Sequence, residues 1–422
     1  MKYKKKDCGS FNLHMIKTSK FKTTTISIIF RSLLDKEEIT IRNFLSDILV
    51  YSTKKYPKRI DLKKYEQDLY SLEVGSKCYR LGRFYNTEFN INFLNEKYID
   101  DDISVESIEF LRDLIFNPNV NNNSFDNISF SIVKESTKKV IESIKEDTRK
   151  YSMIKLFENM DKDMPYSNHS FGYIEDLEKI NPTNLYEYYT KFLNQNMIDI
   201  FVVGDIDFNK YENLIRDNFK FRVFKKKDIN TIIKHEKFRK KVKMIEEDEN
   251  ISQSKLALGL KIGDISEFER NYVLTIYNVL LGGGSNSKLF LDVREKHSLC
   301  YNIFSSVYKL DSILVISAGT SRKNAAKAIK IIKNDLKEIE KGKFKEEEIE
   351  KAKEKYINSL NTMLEYPNAL VSSYYAMELL GLDEIEKRKE EIMKVTYKDI
   401  VSLSKKIHLD TIYLLGGDDN NE

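Results

Sequence analysis

Hydrolysis by metal-bound water needs ligands gathered on one face of an element, so the five histidines are the first residues to test. His14, His169, His235, His297 and His408 are scattered, and no two stand at the i, i+4 spacing that puts both rings on one helix face. Neither direction of a helical zinc motif is therefore present. The three cysteines, Cys8, Cys78 and Cys300, are odd in number, far apart and without metal-ligand spacing. Cys300 stands beside Tyr301, but no nearby His–Asp arrangement marks it as a nucleophile. The run Gly282, Gly283, Gly284, Ser285 has no Lys-Ser/Thr in P-loop spacing and no dinucleotide fingerprint, which leaves a flexible turn. Arg294, taken alone, is a surface cation for Asp292 or Glu295, and Tyr301 a half-buried packing residue.

The elements around these residues occur twice. NPTNLYEYYTKFLNQNMIDIFVVGDID (181–207) and VTYKDIVSLSKKIHLDTIYLLGGDD (395–419) each read as an amphipathic helix, a polar gap and an apolar strand ending in Gly and Asp. Thr183 and Thr396 are expected as the helix N-caps, because a hydroxyl there accepts from an unpaired backbone N–H. TTTISIIFRS (23–32) and SKLALGLKIG (254–263) are β-prone runs, each followed by helix-forming sequence and a Gly/Ser/Thr loop. Strands follow at 87–94 and 312–320, then long charged helical stretches over 127–159 and 325–365. Strands adjacent in sequence with helices grouped together predict an α+β fold, with antiparallel-rich sheets and helices packed on one face.

At 422 residues the chain is too long for one ordinary core, and 41% hydrophobic residues suffice for two. The expected division is an N-terminal domain over 1–215, a basic linker over 216–244 and a C-terminal domain over 245–422. The densest basic stretch, Arg222–Lys243, holds ten Lys/Arg against two acids and reads as a solvated linker or a patch for an acidic partner. Over the whole chain 70 basic and 66 acidic residues nearly balance, unlike a general nucleic-acid binder. The cysteine usage suits a reducing cytosol, and neither a signal-peptide core nor about 18 uninterrupted apolar residues occurs, so a cytoplasmic protein without a membrane span is expected.

LGGGSNSKLFLDVREKHSLCY, Leu281–Tyr301, resembles the C-terminal-domain motif of the insulinase/pitrilysin peptidases, where a Gly/Ser loop, a Ser-x-Leu-Phe helix and Arg-Glu-Lys precede Leu-x-Tyr. PYSNHSFGYIEDLEKINP (165–182) and the Gly-Asp strand ends look like the same family, and the likeness runs through nearly the whole chain. It implies two homologous α/β-sandwich domains of the insulinase and mitochondrial-processing-peptidase type, the LuxS/MPP-like metallohydrolase fold. Family members carry His-x-x-Glu-His on a helix of the first domain, with a distant Glu as third ligand.

Here the matching helix is Ile41–Val50, followed by YSTKKYP. Anchoring on Thr53 and Pro57 sets Asn43, Ser46 and Asp47 at the His, Glu and His positions. Asn43 is a poor zinc ligand and Ser46 too weak a base to replace Glu. Glu142, seven residues after Glu135 in KESTKKVIES, stands as the equivalent of the third ligand, and with Asp47 alone it makes only a weak hard-cation site. No cofactor is expected on this chain.

The resemblance also implies that Arg294 and Tyr301 hold the substrate backbone and steady the oxyanion, with Gly283, Gly284 and Ser285 touching the peptide. The family includes split enzymes in which one chain carries zinc and its homologue carries the Arg/Tyr pair. The expected role is thus the non-metal subunit of a heterodimer, with a zinc-bearing paralogue and a peptide substrate as partners. The bacterial non-zinc branch implies a pathway associated with 5-aminopentanol modification of elongation factor P. The alternatives are a structural or adaptor pseudopeptidase, or a subunit for maturing a peptide toxin or bacteriocin.

Overall fold

A computed structural model describes residues 1–223 and 229–417. Phe224–Asp228, within the basic stretch, and Asp418–Glu422, which end the second Gly-Asp motif, lie outside the described residues. The described chain divides into two compact units that interleave in sequence. The first comprises Met1–Ser143, His169–Ile229 and Leu364–Ser373; the second comprises Ile144–Asn168, Asn230–Met363 and the chain from Tyr374 onward. Residues 144–168 thus join the later unit although they precede the basic stretch, which a division by sequence order does not capture.

In the first unit, β1 (Lys2–Asp7), β2 (Asn12–Lys17), β3 (Thr23–Leu33), β4 (Glu73–Leu81), β5 (Phe84–Leu94) and β8 (Met197–Gly204) form one sheet in the order β1-β2-β8-β3-β5-β4. The intervening β6 (Val120–Asn121) and β7 (Ser124–Phe125) make a separate small hairpin. Central β3 is rich in Thr and Ile and buried on both faces from Thr24 to Phe30, as a strand covered from two sides must be. It pairs antiparallel with β5 (Ile26 opposite Ile91) and β8 (Ile28 opposite Ile200), while β2 and β8 run parallel. The helices are α1 (Lys36–Leu49), α2 (Arg59–Asp68), α3 (Ser104–Phe116), α4 (Asn127–Glu142), α6 (Ile174–Lys179), α7 (Pro182–Asn194) and α8 (Phe208–Asn218).

Helix α1 starts earlier than its apolar spacing announces, because Asp35 caps it by accepting from Glu37 N, and Glu37 and Glu38 favour the positive end of its dipole. At α7 the cap is Asn181, not Thr183. Asn181 and Asn184 form a reciprocal capping box with Pro182 at the first helical position, so Thr183 lies inside the helix.

The second unit repeats the order with one strand fewer. β9 (Lys243–Asp248), β10 (Ser254–Ile262), β11 (Cys300–Tyr308), β12 (Ile313–Thr320) and β13 (Ile407–Gly416) are arranged β11-β12-β10-β13-β9. Here β10 takes the place of β3, β12 of β5, β13 of β8, and parallel β9 that of β2. The duplication read from sequence is thus a duplication of topology. Thr396 caps α14 (Tyr397–Ser404) through a capping box with Asp399, as expected.

Alternation along β10 divides two cores. Leu256, Leu258, Leu260 and Ile262 face α9 (Leu274–Gly282), α10 (Arg322–Glu340), α11 (Glu346–Met363), α13 (Ile385–Met393) and α14. Ala257 faces the other way, where α5 (Thr148–Met160) lays Tyr151, Leu156 and Met160 beside Tyr413, Leu415 and Val315. Gly259 permits that approach, because a Cβ there would collide with the Met160 sulfur. Helices therefore cover one face as expected, and α5 adds a cover on the second. One helix, α12 (Pro367–Leu380), contributes residues to both units. Among the described residues no helix is long and apolar enough to cross a membrane.

The most demanding group in the first unit is Arg42, only 1% exposed. Its Nε donates to Thr87 Oγ1 (2.7 Å), its Nη2 to Phe30 O (2.9 Å) and Asn196 Oδ1 (2.6 Å), and its Nη1 to Ser32 Oγ. One guanidinium so joins α1 to β3, β5 and the α7–β8 junction. Arg42→Ala is expected to cost about 3 kcal/mol or more by leaving these acceptors unpaired, with Arg42→Lys in between. Denaturant unfolding measures this, and a loss near zero would remove Arg42 from its place as the anchor.

Candidate functional site

Helix α1 presents Asn43, Ser46 and Asp47, and each is already engaged. Asn43 Nδ2 donates to Ser170 O at 2.7 Å, and the Tyr85 hydroxyl lies 2.8 Å from Asn43 Oδ1 and 2.9 Å from the same carbonyl. The 168–173 segment is strapped onto the helix. Tyr173 N donates to Thr40 Oγ1 (2.9 Å), and Gly172, at φ +88 where side chains are strained, passes close enough to Thr40 that a Cβ would be crowded at 3.0 Å. Burial holds the Tyr85 phenol far above its usual range. Ser46 spends its proton on Asn43 O at 2.8 Å, one turn back.

Asp47 points to α4. The residue as a whole is exposed, but the loss of water around its carboxyl pushes it up to about 6, against the opposing contact with Thr137. The residue of α4 that meets Asp47 is thus Thr137, on the buried stripe with Phe130, Val133 and Ile141. Phe44 and Phe130 pack edge to face at 4.8 Å between the same helices. Glu142 is not brought to this place. It is exposed at the end of α4, 3.8 Å from Lys138, and Glu135 likewise pairs with Lys139 at 3.6 Å. Such solvated i, i+4 pairs contribute a few tenths of a kcal/mol.

The donor set does not fit zinc: an amide tied to a backbone carbonyl, a hydroxyl bonded within its own helix, one carboxylate, and a glutamate facing solvent. No chemical step is routed through a metal on this chain. Among the described residues the one cluster with ligand-range geometry is Asp292, Asp335 and Glu338. It is filled by the Lys288 ammonium, at 3.1 Å from Asp292, 3.7 Å from Asp335 and 2.8 Å from Glu338. Burial raises Asp335 to about 8, so part of that charge is quenched by a proton.

In the second unit Arg294 and Tyr301 do come together. Arg294 sits on a π-helical turn, Phe290–Lys296, whose extra residue per turn re-aims its side chains. Its guanidinium stacks on the Phe290 ring at 4.6 Å. Of the two acids expected to pair with it, Asp292 is taken by Lys288, and Glu295 stands 3.8 Å away in an exposed contact of little strength. Ser298, in the left-handed region at φ 51, turns the chain into β11. A register shift between Cys300 and Asn302 then leaves Tyr301 61% exposed. The two residues line one open hollow of about 420 Å³ with Glu295, Ser298, Leu299, Cys300, Ser321, Lys323 and Asn324. Burial raises the Cys300 thiol to about 11, which makes it an inert wall residue.

Gly283, Gly284 and Ser285 lie outside this lining. Gly282 and Gly283 serve close packing, since a Cβ there would meet Ser305 or the Val279 backbone at 2.5 Å, whereas Gly284 holds a backbone at φ +143 that other residues rarely adopt. The residues that sequence reasoning missed, Ser321, Lys323 and Asn324, start α10. A Ser directly after a strand was the available signal for them.

Residues 179–356 match the family described as Peptidase M16 inactive domain. Over 415 residues the chain is 31% identical to the probable inactive metalloprotease YmfF of Bacillus subtilis (strain 168), covering 97% of this chain and 96% of that protein. It is also 30% identical over 262 residues to the uncharacterized zinc protease YmxG of the same organism, covering 57% and 62%. A conserved protein from Enterococcus faecalis V583 superposes with a TM-score of 0.88 at 29% identity over 98% of both chains. The chain belongs to the M16 (insulinase/pitrilysin) peptidase family, as an inactive-type homologue.

Two measurements check the α1 region. Elemental analysis of the purified chain should find well under one zinc per molecule; a stoichiometric, chelator-resistant zinc would contradict the ligand geometry. Asp47 binds its proton more tightly folded than unfolded (about 6 against about 3.9), so its favourable contribution is full below about pH 4 and lost as pH rises through about 6. Asp47→Asn should therefore melt at or above the wild-type temperature at pH 7.5, with the gap closing by pH 4. A gap that widens on acidification would reverse the sign.

Proposed function

We propose that this chain is the non-metal half of an M16 peptidase heterodimer, giving Arg294 and Tyr301 to a peptide cleaved at the zinc of a homologous partner. One observation carries the reading: the two donors share a solvent-open hollow, while the α1 positions that would grip a metal carry no competent ligands. The guanidinium offers directed N–H donors to a peptide carbonyl, and the phenol can donate to charge developing on that oxygen. In a water-poor site each such donor is worth about 3 kcal/mol. Strand β11 lies at the sheet edge beside the hollow, so an extended peptide can add to it through backbone hydrogen bonds that ignore side-chain identity.

Zinc, supplied by the partner, would activate water; this chain's residues bind, orient and steady the substrate. A cytoplasmic setting goes with the reading, since the three free thiols suit a reducing compartment. The elongation factor P pathway goes with it through the resemblance alone, because the hollow has no feature that names a particular protein substrate.

Complexes of this chain with a zinc-bearing paralogue provide the test. Arg294→Ala and Tyr301→Phe should each lower kcat/KM for an unfolded peptide by about a hundredfold, while size-exclusion chromatography shows assembly intact. Unchanged turnover in both variants would overturn the proposal in favour of a structural adaptor.

A further inference from the structure

We infer that Lys288 is a positioning residue for the site: its ammonium fixes the turn that carries Arg294 against α10, and so sets where the guanidinium meets a substrate. This rests on the substrate-binding role proposed above.

Arg294 does little to hold itself. Its side chain is 43% exposed, its contact with Glu295 is weak, and the Phe290 ring on which it stacks belongs to the same turn. Its direction is therefore the direction of the turn. The residues there divide by face at i, i+4 spacing. Leu289 and Val293 are fully buried in the core, Phe290 and Arg294 stack on one another, and Lys288 and Asp292 form a third pair, 3.1 Å apart.

That third pair is bound to α10. The Lys288 ammonium lies 2.8 Å from Glu338 and 3.7 Å from Asp335, which stand one turn apart on the helix. Although burial opposes the charge, hydrogen bonds to Glu338 and Asp292 hold the amine protonated well above the ordinary lysine range. The proton that burial keeps on Asp335 leaves two carboxylates for this ammonium, with Lys296 close to Asp292 and Lys343 close to Glu338. Lys288, Asp292, Asp335 and Glu338 all lie outside the lining of the hollow, so the clamp acts from behind its wall.

The turn and α10 run in opposite senses. Lys288 meets α10 near its end, and Thr320, just before its start, donates from Oγ1 to Leu299 O at 2.5 Å. Arg294 lies between these two pins. His297 adds a third, with Nδ1 2.7 Å from Asp292 O, so Asp292 is held by its backbone as well as its carboxylate. A π-helical turn released from Lys288 is free to close into the commoner α-helical register, which rotates the residues after Asp292 and carries Arg294 off its line.

Complexes with the zinc-bearing paralogue test this through coupling. Lys288→Met removes the charge at similar length and should lower kcat/KM for an unfolded peptide about tenfold, because small displacements of a binding group are costly in rate. Lys288→Arg keeps the charge and should lose about threefold or less; a loss as deep as that of Lys288→Met would make the charge irrelevant and overturn the positioning role. In an Arg294→Ala background, already slower by about a hundredfold, Lys288→Met should cost nothing further, since a positioning residue acts only through the group it positions. Independent losses, about a thousandfold in the double variant, would mark a merely structural residue and overturn the positioning role alone. Full activity of Lys288→Met would do the same. Should Lys288→Met fail to fold, Glu338→Gln, at a side chain 28% exposed, loosens the same clamp from the α10 side. It should lose about threefold in the wild-type background and nothing with Arg294→Ala; any other pattern counts against the clamp. If Arg294→Ala itself leaves turnover unchanged, the substrate-binding role and the positioning role fall together.

Discussion

A single buried guanidinium holds the first unit's helix to its sheet. Arg42 sits among neutral acceptors from three separate segments, with the Phe192 ring 5.1 Å from its charge, and offers little freedom to slide or rotate. Because Asn43 follows directly and Ser46 and Asp47 lie one turn on, their directions are set by an interaction that has nothing to do with metal. This explains how the α1 frame survives when its chemistry does not. The positions are still held against α4, and what they hold is an amide, a hydroxyl and one carboxylate.

The polar groups in that frame are satisfied rather than left over. Asn43 and Tyr85 close on the Ser170 carbonyl and Ser46 on its own helix, while Asp47 is exposed beside Thr137. A buried polar group without a partner costs about 1–3 kcal/mol, so a site that has lost its ligand must rearrange or unravel. Here the strap around Gly172 supplies partners to Asn43 and Tyr85 through the Ser170 carbonyl. The second unit differs. Arg294, with 43% of its side chain exposed, and Tyr301, 61% exposed, reach solvent while anchored by ring stacking and a strand irregularity. The two regions therefore differ in kind, one closed on itself and the other open to solvent.

Much of this was legible in the residues. The Thr53–Pro57 turn set the register in which Asn43, Ser46 and Asp47 were read, and the repeated helix-then-strand pattern foretold the shared topology. The pairing of Arg294 with Tyr301 came from family likeness, since seven residues of spacing across a π-helical turn and a strand start carry no periodic signal. Other features depended on long-range packing. Thr137 faces Asp47 because of how α4 rotates on Phe130, and a helix's rotation is set by its partners. The Gly/Ser run looked like a contact loop, but Gly282 and Gly283 answer to Ser305 and Val279. Asn181 outranked Thr183 because Pro182 had already taken the first helical position.

The position of α5 has a further consequence. Its segment, 144–168, is encoded with the first unit's helices but covers the second unit's sheet, with Met160 against Gly259. A gene cut at the basic stretch would strand an amphipathic helix on one product and leave Ala257, Val315, Tyr413 and Leu415 bare on the other. Neither product would be a self-sufficient folding module, whatever its repeat symmetry suggests. Repeated topology therefore does not mark a point at which this chain can be cut into two independent folds.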